Sequence, residues 1–125
     1  MAGLTLDAGA LIAYERADPR IRDILDRAFA CGMVPTVPAM ALAEVWRGDA
    51  KDARVARLLK ACDIEPVTES HARRTGALRR DAPSGAGTID ASIAVGVRRR
   101  RDAIVTSDPG DMRRLLGPTF TILVV

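Results

Sequence analysis

Four carboxylic acids stand at places in the sequence where acidic side chains could act together. Asp7 follows a short apolar segment, and Glu44 follows five apolar residues. Asp90 opens the segment Asp-Ala-Ser-Ile-Ala, and Asp108 precedes the segment Pro-Gly-Asp. Hard divalent cations such as Mg²⁺ and Mn²⁺ prefer carboxylate oxygens, and they can generate hydroxide from water and stabilise a phosphodiester under attack. If the four side chains meet, metal-assisted hydrolysis is the chemistry that they predict.

The other reactive residue types support few alternatives. His71 is the only histidine, which excludes acid–base chemistry by a histidine pair and a zinc site built on two histidines. Cys31 and Cys62 are too few and too far apart for a disulfide scaffold or a zinc knuckle, and we interpret them as reduced thiols. Metal-assisted hydrolysis is therefore the main chemistry that this set of residues supports.

Each of the three aspartates also has a purely structural interpretation. An aspartate just before a helix commonly caps it, and Pro109 after Asp108 is a frequent first helical residue. Glu44 differs, because it lies inside a predicted helix and its apolar neighbours predict burial. A buried carboxylate needs a partner, which could be a shared cation or Arg47, one turn away. Both interpretations remain open from the residues alone.

Short apolar segments alternate with amphipathic helices, and this pattern predicts the framework that positions the acids. Strands are predicted at residues 3–6, 33–37, 64–67, 103–106 and 120–125, the third at a sheet edge because it contains a proline. Helices are predicted from Pro19 to a stop at Gly32, at 39–47, along the stripe 55–62, and at 69–80, 90–99 and 109–116, with a loop at 81–87. The alternation implies a parallel sheet with helices on both faces, whose ligands bind beyond the carboxyl ends of the strands. Asp7 and Asp108 lie at two such ends.

Length and composition indicate one globular domain over residues 1–125. Hydrophobic residues make up 48% and charged residues 28%, which is ordinary for a folded chain. The longest uncharged run, Ala28 to Ala43, contains Gly32 and two prolines and is shorter than the ~20 apolar residues of a membrane span. Asp7 interrupts the first apolar segment, so a secretory signal is not expected. We expect a cytoplasmic protein with no membrane contact.

The basic residues point to a polyanionic partner. The net charge is +3, 17 of the 19 basic residues are arginine, and setting four acids aside in one pocket leaves +7 for the remaining surface. Arginine forks suit phosphate groups, although a high arginine content can also reflect genome composition. The run Arg98–Arg101 spreads around its helix and is interpreted as a solvated helix end, and Arg73, Arg74, Arg79 and Arg80 are interpreted similarly, although two of them could flank the site. Aromatic residues amount to 3%, which argues against base stacking, and Trp46 is interpreted as core or dimer interface.

Taken together, the motifs resemble a known family. Leu6-Asp7 before a Leu-Ile-Ala stretch, the mid-helix Glu44, Asp90-Ala-Ser-Ile-Ala and Thr106-Ser-Asp108-Pro-Gly-Asp111 resemble the PIN domain, and more narrowly the VapC-type ribonuclease toxins of toxin–antitoxin pairs. The resemblance covers essentially the whole chain. It implies an α/β three-layer sandwich with a five-stranded parallel sheet in the order 3-2-1-4-5, flanked by helices.

The resemblance also implies roles for the acids. Asp7, Glu44, Asp90 and Asp108 would form the catalytic quartet, with Asp7 and Asp90 as direct metal ligands and Asp108 joining directly or through water. Glu44 would hold or deprotonate the attacking water. Thr106 and Asp111 would support the ligands from outside the direct set. Family members are Mg²⁺- or Mn²⁺-dependent endoribonucleases that leave a 5′-phosphate and a 3′-hydroxyl, and they are usually homodimers neutralised by a cognate antitoxin.

Two departures and two rival functions accompany the resemblance. Gly9 stands where many members carry serine or threonine, and the loop at 81–87 lacks a basic residue often found nearby, so both concern substrate positioning. A phosphatase or response-regulator receiver would also place an aspartate after its first strand. A phosphatase needs an acid at the position of Gly9, and both need a late lysine, whereas the only lysines are Lys51 and Lys60. The stronger rival is a non-catalytic module that binds RNA or a protein on a nuclease-like fold.

Overall fold

Five short strands pair in parallel in the computed structural model, which describes residues 3–82 and 85–125. They are β1 (Leu4–Leu6), β2 (Thr36–Pro38), β3 (Asp63–Glu65), β4 (Ala103–Thr106) and β5 (Ile122–Val124). Their order across the sheet is β3-β2-β1-β4-β5, so β1 and β4 are neighbours. The predicted strand order and the α/β class are confirmed, as is the edge position of the third strand.

Helices connect successive strands and cover both faces of the sheet. In the described residues they are α1 (Ala8–Glu15), α2 (Pro19–Ala30), α3 (Ala39–Val45), α4 (Ala53–Leu59), α5 (Glu69–Asp81), α6 (Thr88–Arg100) and α7 (Pro109–Leu116), with a short 3₁₀ turn at Ala50–Asp52. Part of the predicted loop at 81–87 lies outside the described residues. No helix in the described ranges is long and apolar enough to cross a membrane.

Alternation along the central strands divides the apolar core into two layers. Leu4 and Leu6 of β1 pack with α1, α2 and α4, whereas Ile104 of β4 packs with α6 and α7. Successive strand residues point to opposite faces, so Thr5 lies fully buried under α6 instead of under α1. The first core layer holds the start of α1 in place, and the second holds α6.

A buried polar network under α6 joins β1, β3 and the residue before β4 to the end of that helix. Arg100 donates hydrogen bonds to Glu65, to Asp102 at 2.9 Å and to the Thr5 hydroxyl at 2.8 Å. Asp102 also accepts from the Thr5 hydroxyl and from the Gly3 amide, each at 2.8 Å. We call Thr5, Glu65, Arg100 and Asp102 the Arg100 network. Buried charges are tolerated when they are paired in this way.

The Arg100 network corrects the interpretation of Arg98–Arg101 as a uniformly solvated helix end. Only Arg98, Arg99 and Arg101 are exposed, and Arg101 ends α6 with a left-handed backbone (φ 57°). Arg100 turns inward because four consecutive helical residues point in four directions, about 100° apart. One of the four therefore faces the sheet, where Glu65 and Asp102 neutralise it.

Candidate acidic site

Asp7 lies at the carboxyl end of β1 and is held by the start of α1. Its carboxylate accepts a hydrogen bond from the Ala10 amide at 3.0 Å, and the residue is buried. The capping interpretation is therefore correct for Asp7. Burial raises the pKa of this carboxyl, whereas hydrogen bonds from Thr106 and from the Ala10 backbone act in the opposite direction.

Thr106, the last residue of β4, connects two of the candidate acids. Its side chain is fully buried, and the interaction of its hydroxyl with the Asp7 carboxylate opposes the rise that burial causes in the pKa of that acid. The same hydroxyl oxygen accepts a hydrogen bond from the Asp108 amide at 3.0 Å. Neighbouring strands β1 and β4 thus place Asp7 and Asp108 on either side of one buried hydroxyl.

Asp90 and Asp108 do not use their side chains as helix caps. Gly87 occupies the capping position of α6, and Asp90 lies three residues later, inside the first turn. The capping interpretation is therefore wrong for Asp90. Asp108 occupies the capping position of α7, yet its side chain makes no capping hydrogen bond and is exposed. Both carboxylates are therefore available for another role.

Glu44 is exposed on α3, and the predicted burial is wrong. In α3 only Ala41 and Val45 are buried. An apolar run that is not interrupted by polar residues does not indicate which face of a helix turns inward. The suggested partnership with Arg47 is also wrong, because that guanidinium pairs with Glu15 at 3.0 Å. Glu44 faces solvent with no ion pair to any described residue.

Asp90 is the electrostatic centre of the candidate acids. Although Glu44 is exposed, partial loss of hydration and then the charge of Asp90 raise its pKa, and the charge of Asp90 also raises the pKa of Asp7. Burial is the largest cause of the raised pKa of Asp90 itself, and the charges of Asp111 and Asp108 raise that pKa further. We call these five residues the acidic cluster. Its members interact through Asp90, at the carboxyl edge of the sheet where the topology predicts a ligand site.

The acidic cluster fits a hard divalent cation in its donor chemistry. Within residues 3–82 and 85–125, Asp7, Glu44, Asp90 and Asp108 form no ion pair with a basic side chain, so their mutual repulsion is not relieved by the protein. Asp111 differs because it pairs with Arg114. In the same ranges, no three or more histidine, cysteine or acidic side chains already stand in a metal-holding arrangement. The fit is therefore one of charge and ligand type.

Gly9 allows the turn between β4 and α7 to approach α1 closely. A β-carbon at Gly9 would lie 2.8 Å from both the backbone nitrogen and the β-carbon of Ser107, the residue before Asp108. The concern that Gly9 leaves Asp7 without a supporting hydroxyl is answered by Thr106, whose hydroxyl bonds the Asp7 carboxylate. Gly9 is thus a packing requirement of the site.

Gly9→Ala is expected to destabilise the fold by about 1–3 kcal/mol, because the backbone of Ser107 cannot move without moving Asp108. Gly76→Ala is the matched control, since Gly76 is also helical and has open space around its Cα. That control should gain about 0.5–1 kcal/mol from its lower unfolded-state entropy. Urea denaturation compares the two, and equal gains in both variants would contradict the close approach.

Ser107 and Arg114 were not among the residues that the sequence analysis placed at the site. Ser107 is next to Gly9 only because β1 and β4 are adjacent, which no local motif specifies. Arg114 has a local signal, since it follows Asp111 by three residues on one helix, a spacing at which side chains meet.

Comparison with known families and structures gives an independent view of the chain. The sequence model of the PIN domain family matches residues 4–115. A comparison with curated protein sequences gives no significant match.

Solved structures share the fold at low sequence identity. A chain of VapBC2 from Rickettsia felis, bound to a promoter DNA fragment, is 15% identical with a TM-score of 0.77, covering 95% of this chain and 96% of that one. A chain of a toxin–antitoxin complex from Klebsiella pneumoniae is 20% identical with a TM-score of 0.72, covering 87% of this chain and 89% of that one. A chain of DNA-bound VapBC from Salmonella typhimurium is 18% identical with a TM-score of 0.69, covering 98% of this chain and 97% of that one.

Proposed function

The chain belongs to the PIN domain family, a membership that implies nuclease activity, and we propose that it is an endoribonuclease dependent on Mg²⁺ or Mn²⁺. The observation that carries the proposal is the acidic cluster, in which every described carboxylate except that of Asp111 lacks a basic partner and the members act on one another through Asp90. The products would carry a 5′-phosphate and a 3′-hydroxyl, as the resemblance implies.

Each member of the cluster has a proposed part in this reaction. Asp7 and Asp90 would hold the cation, with Asp108 joining directly or through water. Thr106 would orient both Asp7 and the turn before Asp108 through its two hydrogen bonds. When bound, the cation supplies positive charge that relieves the carboxylate repulsion and stabilises charge developing on the phosphate.

Glu44 and Asp111 would act from the rim of the cluster. The raised pKa of Glu44 brings it closer to neutral pH, which favours its use as the base that holds and deprotonates the attacking water. Its exposure on α3 leaves it open to that water. Through its ion pair with Arg114, Asp111 would keep that arginine beside Asp90.

The biological role that we propose is that of a toxin neutralised by a cognate antitoxin in the cytoplasm. This role is supported by solved structures that share the fold, among which are toxin–antitoxin complexes. Trp46 is also 46% exposed and lines an apolar hollow with Leu42 and Leu59, so it is not a core residue. An exposed apolar hollow suits a protein contact, either the antitoxin or a second copy in a homodimer.

Cleavage of RNA by the purified chain tests the activity. We expect cutting with Mg²⁺ or Mn²⁺, none with EDTA, and ends that a 5′-phosphate-dependent exonuclease accepts. Binding of RNA without any cleavage under all these conditions would favour the non-catalytic module instead.

The pKa shifts predict how stability depends on pH without metal. Acids whose pKa is raised on folding bind protons more tightly in the folded state, so they favour folding below their ordinary pKa values of 3.8 and 4.5. That contribution is lost as pH rises through the raised pKa values of Asp7, Glu44 and Asp90. Thermal unfolding should show stability falling across this window in EDTA.

Mn²⁺ is expected to reverse that loss, because an ion that binds only the folded state stabilises it by about 2.7 kcal/mol at a hundred times its Kd. Asp90→Asn should weaken both the pH dependence and the response to Mn²⁺, whereas the exposed Asp26→Asn should change neither. Calorimetric titration of Mn²⁺ measures the binding directly. Identical titrations for the parent and Asp90→Asn would contradict a cation site at Asp90.

A further inference from the structure

A cleft of about 570 Å³ lies between α5, α6 and α7, on the face of the sheet that α6 covers. Four arginines line it, and of the described residues around it only Asp81 is acidic. The lining arginines are Arg74, Arg98, Arg99 and Arg114. Its floor is apolar, formed by Leu78, Val95 and Leu115. We call this the arginine cleft.

Two of these arginines have guanidinium groups that no described acidic side chain neutralises. Arg74 forms no ion pair or hydrogen bond with any residue that the structure describes. Among residues 3–82 and 85–125, Arg98 donates only to the backbone carbonyl of Leu115, at 3.3 Å. Asp81 does not neutralise them, because it is paired with Arg80 at 3.0 Å. The cleft therefore offers unused donors in a fork geometry that matches phosphate oxygens.

The arginine cleft leads directly to the acidic cluster. A smaller hollow is lined by Asp90 and Asp111, and it shares Ala82, Arg114 and Leu115 with the arginine cleft. The Asp111–Arg114 ion pair stands where the two meet. A strand whose reacting phosphate lies at Asp90 would therefore have its neighbouring phosphates beside Arg114 and then Arg98 and Arg74.

We propose that the arginine cleft binds the sugar–phosphate backbone of the RNA strand next to the cleaved bond. This inference rests on the proposed ribonuclease function and adds the path of the substrate. Contacts to phosphate position a strand without reading its sequence, and the lining has no aromatic side chain on which a base would stack. An acidic peptide has matching charge, but continuity with the acidic cluster favours a strand that passes through both hollows.

The test compares two double variants that remove the same charge. Arg74→Gln/Arg98→Gln removes the unneutralised arginines of the cleft. Arg22→Gln/Arg57→Gln is the control, because both residues are exposed on the opposite layer, on α2 and α4. Binding of a labelled, mixed-sequence single-stranded RNA is measured against salt concentration in EDTA, which leaves the RNA uncut.

The binding constant K falls as salt rises, so the slope of log K against log salt is negative. Loss of two phosphate contacts should make this slope less steep by about 1.4 in the cleft variant. The control variant should keep the parent slope. Arg74→Lys/Arg98→Lys should recover most of that slope, and it also serves if the glutamine variant folds poorly. Equal slopes in the cleft and control variants would overturn the proposal. Polyglutamate bound as tightly as RNA and with the same dependence on the cleft would overturn it in favour of a protein partner.

Failure of this inference is distinguishable from failure of the proposed function. If the parent cleaves RNA and both glutamine variants bind it alike, the cleft assignment alone is wrong. If the parent cleaves no RNA while the cleft variant loses the binding slope, the cleft assignment stands and the ribonuclease activity is wrong.

Discussion

Asp90→Asn is expected to lower the rate of RNA cleavage by at least about a hundredfold, the order of effect that removing one charge-stabilising group has in other enzymes. Asp90 is the residue whose charge reaches Asp7 and Glu44 and which in turn is affected by Asp108 and Asp111. Its side chain does not cap α6, so the substitution removes charge without removing a helix cap. Initial cleavage rates at saturating Mn²⁺ measure the effect.

The fold should survive this substitution, and without metal it should become more stable. Asparagine cannot ionise, so the cost of burying a charge and the repulsion from Asp111 and Asp108, which together raise the pKa of Asp90, both disappear. Asp26→Asn on α2 is the matched control for charge and should keep the parent rate. RNA binding in EDTA should also persist, because the arginine cleft is unchanged. Cleavage by Asp90→Asn within threefold of the parent would rule out the acidic cluster as the catalytic centre.

The largest stability effect is expected from Arg100→Ala, which should lower the free energy of unfolding by about 3 kcal/mol. The side chains of Glu65 and Asp102 are only 7% and 3% exposed, and both pair with Arg100. Removing the guanidinium leaves Glu65 with only the more exposed Arg99 and leaves Asp102 without a cation. Buried charges that lose their partner are far costlier than exposed ones.

Arg101→Ala, the next residue in the chain, is the matched control. It removes the same charge from an exposed position and keeps a residue with a β-carbon at the left-handed end of α6. We expect a change within about 0.5 kcal/mol, as for surface substitutions in general. Guanidinium denaturation of both variants gives the comparison. Similar losses in the two variants would indicate that Arg100 contributes no more than its neighbour.

The framework was predictable because its signals are local. Ala103–Thr106 and Pro109–Leu116 have the predicted bounds, since a short apolar run marks the strand and Pro109 marks the start of the helix. The position of Asp7 and Asp108 at one edge of the sheet was predictable from topology, because parallel strands bring their carboxyl ends together. The third strand came out shifted, at Asp63–Glu65 instead of 64–67, because it pairs with β2 only over those three residues.

What the sequence analysis missed depends on contacts between distant parts of the chain. Arg100 looked like one more exposed arginine because its partners, Thr5 and Glu65, are far away in sequence. The exposure of Glu44 likewise depends on which face of α3 meets α6, which an unbroken apolar run does not encode. The arginine cleft is assembled from three helices, so its lining residues share no motif.

Helix α6 has Asp90 in its first turn, within the acidic cluster, and Arg100 at its end, where the Arg100 network holds it. The ten residue steps from Asp90 to Arg100 span about 15 Å, and each step turns the helix by about 100°. Inserting or deleting a single residue between these positions would rotate one end away from its partners, so either the acidic cluster or the Arg100 network would be lost. We therefore expect natural variants to keep the length of this segment and to vary in length in the loop before α6 instead.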